Sequence, residues 1–204
     1  MKTLLKTIPA FALGLCLAAG ASAQGAKDKK IVFPAGLDWQ TMDLVAFNFN
    51  YPGYEGKPGS REVAHSIWGE IIDKFPTRSD GKKWSAFVIL SAFENISKRF
   101  YFSSLDAAST VYPLCEDPPN HNSKDTPIYS QCPMRVVIQD KASGQSTHQD
   151  FPRYCIMTTN DKDQPKTRNY AQVAVHPATN TAYFRVVQYG KPAPECDRAI
   201  KLPR

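Results

Sequence analysis

Residues 84–93 read Trp84-Ser85-Ala86-Phe87-Val88-Ile89-Leu90-Ser91-Ala92-Phe93, and this stretch decides the fold class. The flanks alternate and the centre is an unbroken apolar run of strand-favouring residues, a pattern that suits a buried β-strand. An Asp80-Gly81 turn precedes it. Downstream, residues 98–103 (KRFYFS) carry the same signal and are placed to pair with it across residues 94–97.

Towards the N-terminus lies the clearest helix. Val63, Ala64, Ile67, Trp68, Ile71, Ile72 and Phe75 recur at helical spacing and form one broad apolar stripe. Glu62, His65, Ser66, Glu70, Asp73 and Lys74 fall on the opposite side, with Glu70 and Lys74 in the favourable i, i+4 order. Ser60 is expected to cap this helix and Pro76 to end it. Gly69 in its interior costs about 1 kcal/mol relative to alanine, which implies either that something packs close to it or that the helix tolerates a weak point. Before the helix, residues 43–49 read as a strand, and residues 50–59, with two prolines and three glycines, as a loop.

Towards the C-terminus strand signals dominate. A short helix is expected over residues 106–111, then strands over 134–140, 147–159 with an interruption at Pro152, 170–175 and 183–189. Turns at Ser143-Gly144, 160–166 and 177–180 join them, and successive strands with short connections imply an antiparallel meander. The expected fold is α+β: a mainly antiparallel sheet with a C-terminal β-meander, packed by one amphipathic helix and stabilised by two disulfides.

The disulfides follow from the compartment. Lys2 and Lys6 flank a short apolar run, and Ala21-Ser22-Ala23 supplies small residues where signal peptidase cuts, so residues 1–23 read as an export signal. The run falls short of the roughly 20 residues of a membrane span, and no second candidate follows. Leu15 before Cys16 argues against lipidation, which needs a small residue there. Residues 24–30 read as a flexible leader and 31–204 as a single domain in the periplasm or secreted. Cys115, Cys132, Cys155 and Cys196 remain, and in an oxidising compartment an even count implies two bridges. The pairing expected is Cys115 with Cys132, across the proline- and asparagine-rich segment 116–131, and Cys155 with Cys196. Zinc is the competing reading, but the spacing lacks a CxxC pair. Neither metal nor cofactor is expected.

The sequence has 25 basic and 19 acidic residues, and removing Lys2 and Lys6 with the signal leaves a mature charge of about +4. The basic residues are scattered, so no nucleic-acid partner is predicted, while an anionic polysaccharide stays open. No GxSxG, P-loop, HExxH or GxGxxG motif is present. His148 and Asp150, two apart on a strand, would share a face and are the general acid/base candidates of a small hydrolase acting on envelope polymers. The leading expectation is a non-enzymatic envelope binding or accessory protein that recognises an envelope or secreted protein partner through loops. Tyr51, Tyr54 and Trp39 are the candidate aromatic anchors, because tyrosine and tryptophan supply large contact area at low entropic cost. The bridged segment between Cys115 and Cys132 is a second candidate surface.

Overall fold

The computed structural model describes residues 31–48, 54–107, 114–116, 129–157 and 168–203. The expected signal and leader, Tyr51, and most of the segment between Cys115 and Cys132 lie outside them. In chain order the elements are β1 (Gln40–Thr41), β2 (Asp43–Phe47), α1 (Ser60–Ile72), β3 (Ala86–Glu94), β4 (Lys98–Ala107), β5 (Tyr129–Asp140) and β6 (Ser146–Met157). They continue with β7 (Tyr170–His176), β8 (Thr181–Gln188), β9 (Lys191–Pro192), a 3₁₀ turn at Pro194–Cys196 and β10 (Arg198–Lys201). Every strand pairing is antiparallel.

The apolar run at 84–93 is buried because β3 lies in a central layer. A five-stranded sheet in the order β2-β3-β4-β5-β6 carries α1 on one face and a second sheet, β1-β7-β8-β10 with β9 on β8, on the other. Val88 and Leu90 point to the helix side, where Leu105, Ala64, Ile67, Trp68, Ile72 and Phe75 pack. Ile89 points the other way, into a core with Phe102, Met134, Val136, Val173, Phe184 and Val186. With both faces covered, alternation between apolar and polar residues would bury polar groups without partners, so the centre of β3 is apolar throughout. Fully burying each such side chain stabilises by about 1.5–3 kcal/mol. Phe102 and Tyr154 both meet Phe184 edge-on at 5.3 Å, tying the two sheets together.

The bridges are Cys115–Cys132 and Cys155–Cys196, as expected. The second joins β6 in the first sheet to the 3₁₀ turn that packs on β8 in the second, so it crosses the layer boundary. Among the described residues no helix is long and apolar enough to cross a membrane.

Four local expectations are corrected. The strands expected to form one C-terminal meander divide between sheets: β5 and β6 complete the first, while β7 and β8 centre the second. Residues 106 and 107 extend β4, pairing with Phe87 and Ala86, because the neighbouring strand satisfies backbone groups that a short helix would leave open. Pro152 does not interrupt β6, since the register shifts between Cys132 and Met134 and absorbs it on an edge strand. Ser60 does not cap α1: Gly59 holds the N-cap position at φ 83°, and the Ser60 hydroxyl donates instead to Asp43 Oδ2 at 2.9 Å.

Candidate functional site

The helix α1 covers only part of the sheet face on which it lies. Side chains on that face form three rows across the strands: Leu90, Ser103, Arg135 and Asp150; then Ala92, Tyr101, Val137 and His148; then Glu94, Arg99, Gln139 and Ser146. α1 sits on the first row, where Trp68 Nε1 donates to Ser103 Oγ at 2.8 Å and that hydroxyl donates to the Ile89 carbonyl at 3.0 Å. Beyond the helix flank the face opens into a groove of about 370 Å³. Val63, Ser66 and Ile67 form one wall, Tyr101, Val137 and Gln139 the floor, and Ser146, Thr147 and His148 the other wall.

Arg135 closes one end. Its guanidinium lies 4.8 Å over the Trp68 ring, donates from Nε and Nη2 to the two oxygens of Asp150 at 2.7 and 3.1 Å, and from Nη1 to Glu70 Oε1 at 3.1 Å and the Ile67 carbonyl at 2.8 Å. One cation between two carboxylates leaves this end with one net negative charge. The hydrogen bonds from Arg135 hold the Asp150 carboxyl below the usual carboxylate range, against a smaller opposing effect of burial. At the opposite end Glu94 pairs with Arg99 at 3.1 Å and Lys141 at 3.6 Å, a group with one net positive charge. Hydrogen bonding from Arg99, then the charge of Lys141, hold the Glu94 carboxyl low. The groove is therefore electrically polarised along the strands.

His148 and Asp150 share a face, with His148 Nε2 3.9 Å from Asp150 Oδ2. That separation is too long for a hydrogen bond, and both Asp150 oxygens are engaged by Arg135. The carboxylate orients the guanidinium rather than the imidazole. His148 instead offers an exposed ring on the rim of the groove.

β6 is also an edge. Among the described residues no strand pairs with its outer side, and residues 146–150 are all exposed. The Asp140 N–H donates to the Gln145 carbonyl at 2.9 Å, which sets the phase of the β5–β6 hairpin. Counting two residues at a time along an antiparallel ladder, Thr147 and Gln149 direct their backbone groups at β5, whereas Ser146, His148 and Asp150 direct theirs outward.

The aromatic candidates lie elsewhere. Tyr54 is 1 % exposed, edge-on to Phe87 at 5.5 Å, which corrects its place as a surface anchor. Its chain segment folds back along β2, with a hydrogen bond from the Ala46 N–H to the Tyr54 carbonyl, so the ring is drawn under the sheet edge. Trp39 is half-buried beneath the Arg185 guanidinium, 4.1 Å from its ring centre, and Phe33 meets it edge-on at 5.1 Å. Arg135, Tyr101, Gln139 and Glu70, which shape the groove, carry no motif. The only trace in the chain is the alternation of Arg135, Val137 and Gln139 with Val136 and Ile138, which reads equally as a solvated face.

A second cavity, of about 550 Å³, lies at the β8–β9 hairpin between Arg168, Gln188, Tyr189, Lys191 and Glu195. Tyr189 and Gly190 form its two-residue turn with φ of 52° and 76°, a conformation that asparagine, aspartate and glycine adopt more readily. The Arg168 guanidinium donates to the Tyr189 carbonyl at 2.9 Å, and the Tyr189 N–H donates to Asn169 Oδ1 at 2.8 Å. Asp106 lies with Cys115 and Cys132 so that one donor atom of each falls within 4.8 Å of the others. Both sulfurs are in the bridge, so neither offers the thiolate that a metal would need.

No family model matches the chain, and no curated protein or solved structure matches it either.

Proposed function

We propose that this chain is an exported, disulfide-bonded binding protein of the cell envelope, and that it holds a macromolecular partner in the groove between α1 and strands β4 to β6. The groove itself carries the proposal. Its walls and floor come from one helix and three hydrogen-bonded strands, so its shape exists before any ligand arrives and binding loses little conformational entropy. The charged groups at its two ends are already paired, which leaves Tyr101, Gln139, Ser146 and His148 as the groups that meet a ligand. An imidazole without an orienting carboxylate supports recognition over acid/base chemistry.

Ser66 lies exposed on the α1 flank and lines the groove, so Ser66→Trp fills it without touching the core. Quantitative capture from envelope extract is expected to fall at least tenfold with the variant at an unchanged Tm. Equal capture by variant and parent protein would remove the groove from the function.

A second reading, a binder of anionic polysaccharide, is favoured by the cavity at Tyr189, where Arg168 and Lys191 flank an exposed aromatic ring. Binding of polygalacturonate that weakens steeply between 50 and 300 mM salt, on the order of the screening expected for exposed charges, would support it.

A further inference from the structure

We infer that the macromolecular partner presents an extended peptide segment, carrying a lysine or arginine, which adds to β6 as a further strand of the first sheet and sends its long side chains across the β6 rim into the groove. The inference rests on the groove being the binding site and goes beyond it in naming the chemistry of the ligand.

Two features of one strand coincide. Ser146, His148 and Asp150 direct their backbone N–H and C=O groups away from β5, and the same residues project their side chains onto the groove face. A ligand that satisfies that row of alternating donors and acceptors must itself present a backbone at strand spacing, which an extended polypeptide does. Once paired, every second side chain of that peptide stands beside Ser146, His148 and Asp150 on the same face, about one strand spacing outside that row, so that a long side chain leans across the rim into the groove. Proteins normally blunt a free edge with charged side chains, proline, a bulge or a covering loop. In β6 the proline and the bulge come only after residue 150, and the one charged carboxylate of residues 146–150, Asp150, is turned inward to Arg135. Charge selects the side chain: Glu70 and Asp150 share a single guanidinium, and the remaining negative charge lies where a peptide side chain opposite Asp150 would reach.

The test uses a synthetic library of capped seven-residue peptides with threonine at odd positions and all amino acids at positions two, four and six. Binding to the full-length oxidised protein is measured by fluorescence polarisation and mapped by amide NMR shifts. The expected result is at least fivefold enrichment of lysine or arginine over aspartate or glutamate at one varied position. Amide shifts should concentrate at Ser146, His148 and Asp150. N-methylation of alternate backbone nitrogens in the best peptide should cost at least tenfold in affinity in one of the two phases and little in the other. His148→Pro removes an outward N–H without breaking the ladder to β5 and should cost at least tenfold, whereas His148→Ala should cost less. If the proline variant does not fold, the N-methylated peptides on the parent protein ask the same question.

No binder anywhere in the library, equal binding of both N-methylated phases, or shifts away from β6 would each overturn the inference. So would a concentration-dependent dimer in sedimentation that His148→Pro abolishes, since the edge would then be filled by a second copy. If Ser66→Trp abolishes envelope capture while the peptides show none of the expected pattern, the groove stands and the added strand falls. If Ser66→Trp has no effect, the groove falls first.

Discussion

Arg135 shows how one side chain can order a surface. It is 12 % exposed, stacked on Trp68, and committed to two carboxylates and a backbone carbonyl, so its position is fixed from four directions. Asp150 gains most from this contact, and its folded pKa is depressed by it. A depressed carboxyl contributes stability above the unfolded pKa of about 3.9 and loses it as the pH falls through the lower folded value. Thermal melts from pH 6 down to pH 2 should therefore show a steeper acid limb for the parent protein than for Asp150→Asn, the two curves converging at the lowest pH. Identical slopes would mean that the pair contributes nothing measurable. Tyr154 is the opposite case. Its hydroxyl is the buried side-chain polar atom without a partner among the described residues, and burial pushes its pKa up. Tyr154→Phe removes an unsatisfied group while keeping the ring against Phe184, so it is expected to leave stability unchanged or raise it by up to about 1 kcal/mol. A lower midpoint in urea would show that the hydroxyl has a partner.

At the scale of elements, α1 shows what packs against a weak helical residue. A Cβ at Gly69 would lie 3.0 Å from Cε1 of the His65 ring, which lies over the glycine with its Nε2 3.1 Å from Asp73 Oδ1. The packing that the sequence offered as one reading of Gly69 thus comes from the helix's own side chain. His65 is exposed and can swing away, so Gly69→Ala should gain most of the helix-propensity difference of about 1 kcal/mol and raise Tm by roughly 2–4 °C. Loss of the His65–Asp73 contact should accompany it, read as a displaced His65 ring resonance by NMR at fixed pH. A fall in Tm would show that the contact outweighs propensity. The same helix explains a second local outcome: Glu70 turns to Arg135 on the sheet, a contact between elements that the i, i+4 pattern with Lys74 did not foretell. Gly56, at φ 71°, is needed for a different reason, because a Cβ there would stand 2.7 Å from Val45 Cγ2 where the chain folds back along β2.

At the scale of the whole molecule, the two sheets are held by a shared aromatic core and by Cys155–Cys196, which closes a separation of 41 residues. In the chain-entropy model that bridge contributes about 4 kcal/mol. Replacing both cysteines by alanine should lower Tm by roughly 10 °C, measured by calorimetry on the oxidised protein, and a change under about 2 °C would place its role outside stability. How much of this could be read in advance differs by feature. Residues 84–93 and the stripe from Val63 to Phe75 were legible because local periodicity reflects which faces are buried, and the cysteine pairing followed from the segment it closes. The groove was not, since Glu70, Arg135 and Asp150 are brought together from positions 65 and 15 apart. Tyr54 was read as a surface ring because a proline- and glycine-rich segment gives no indication of which way it folds. The sequence by itself determined the central strand β3, the helix, the fold class and the favoured cysteine pairing, which depend on patterns within a short window or on chemistry, but not β1, β10 or the end of β4. The division into two sheets, the open edge at β6 and the groove were decided only by tertiary structure. Alternation along a strand records that a face is covered, and carries no information about which element covers it or where that cover stops.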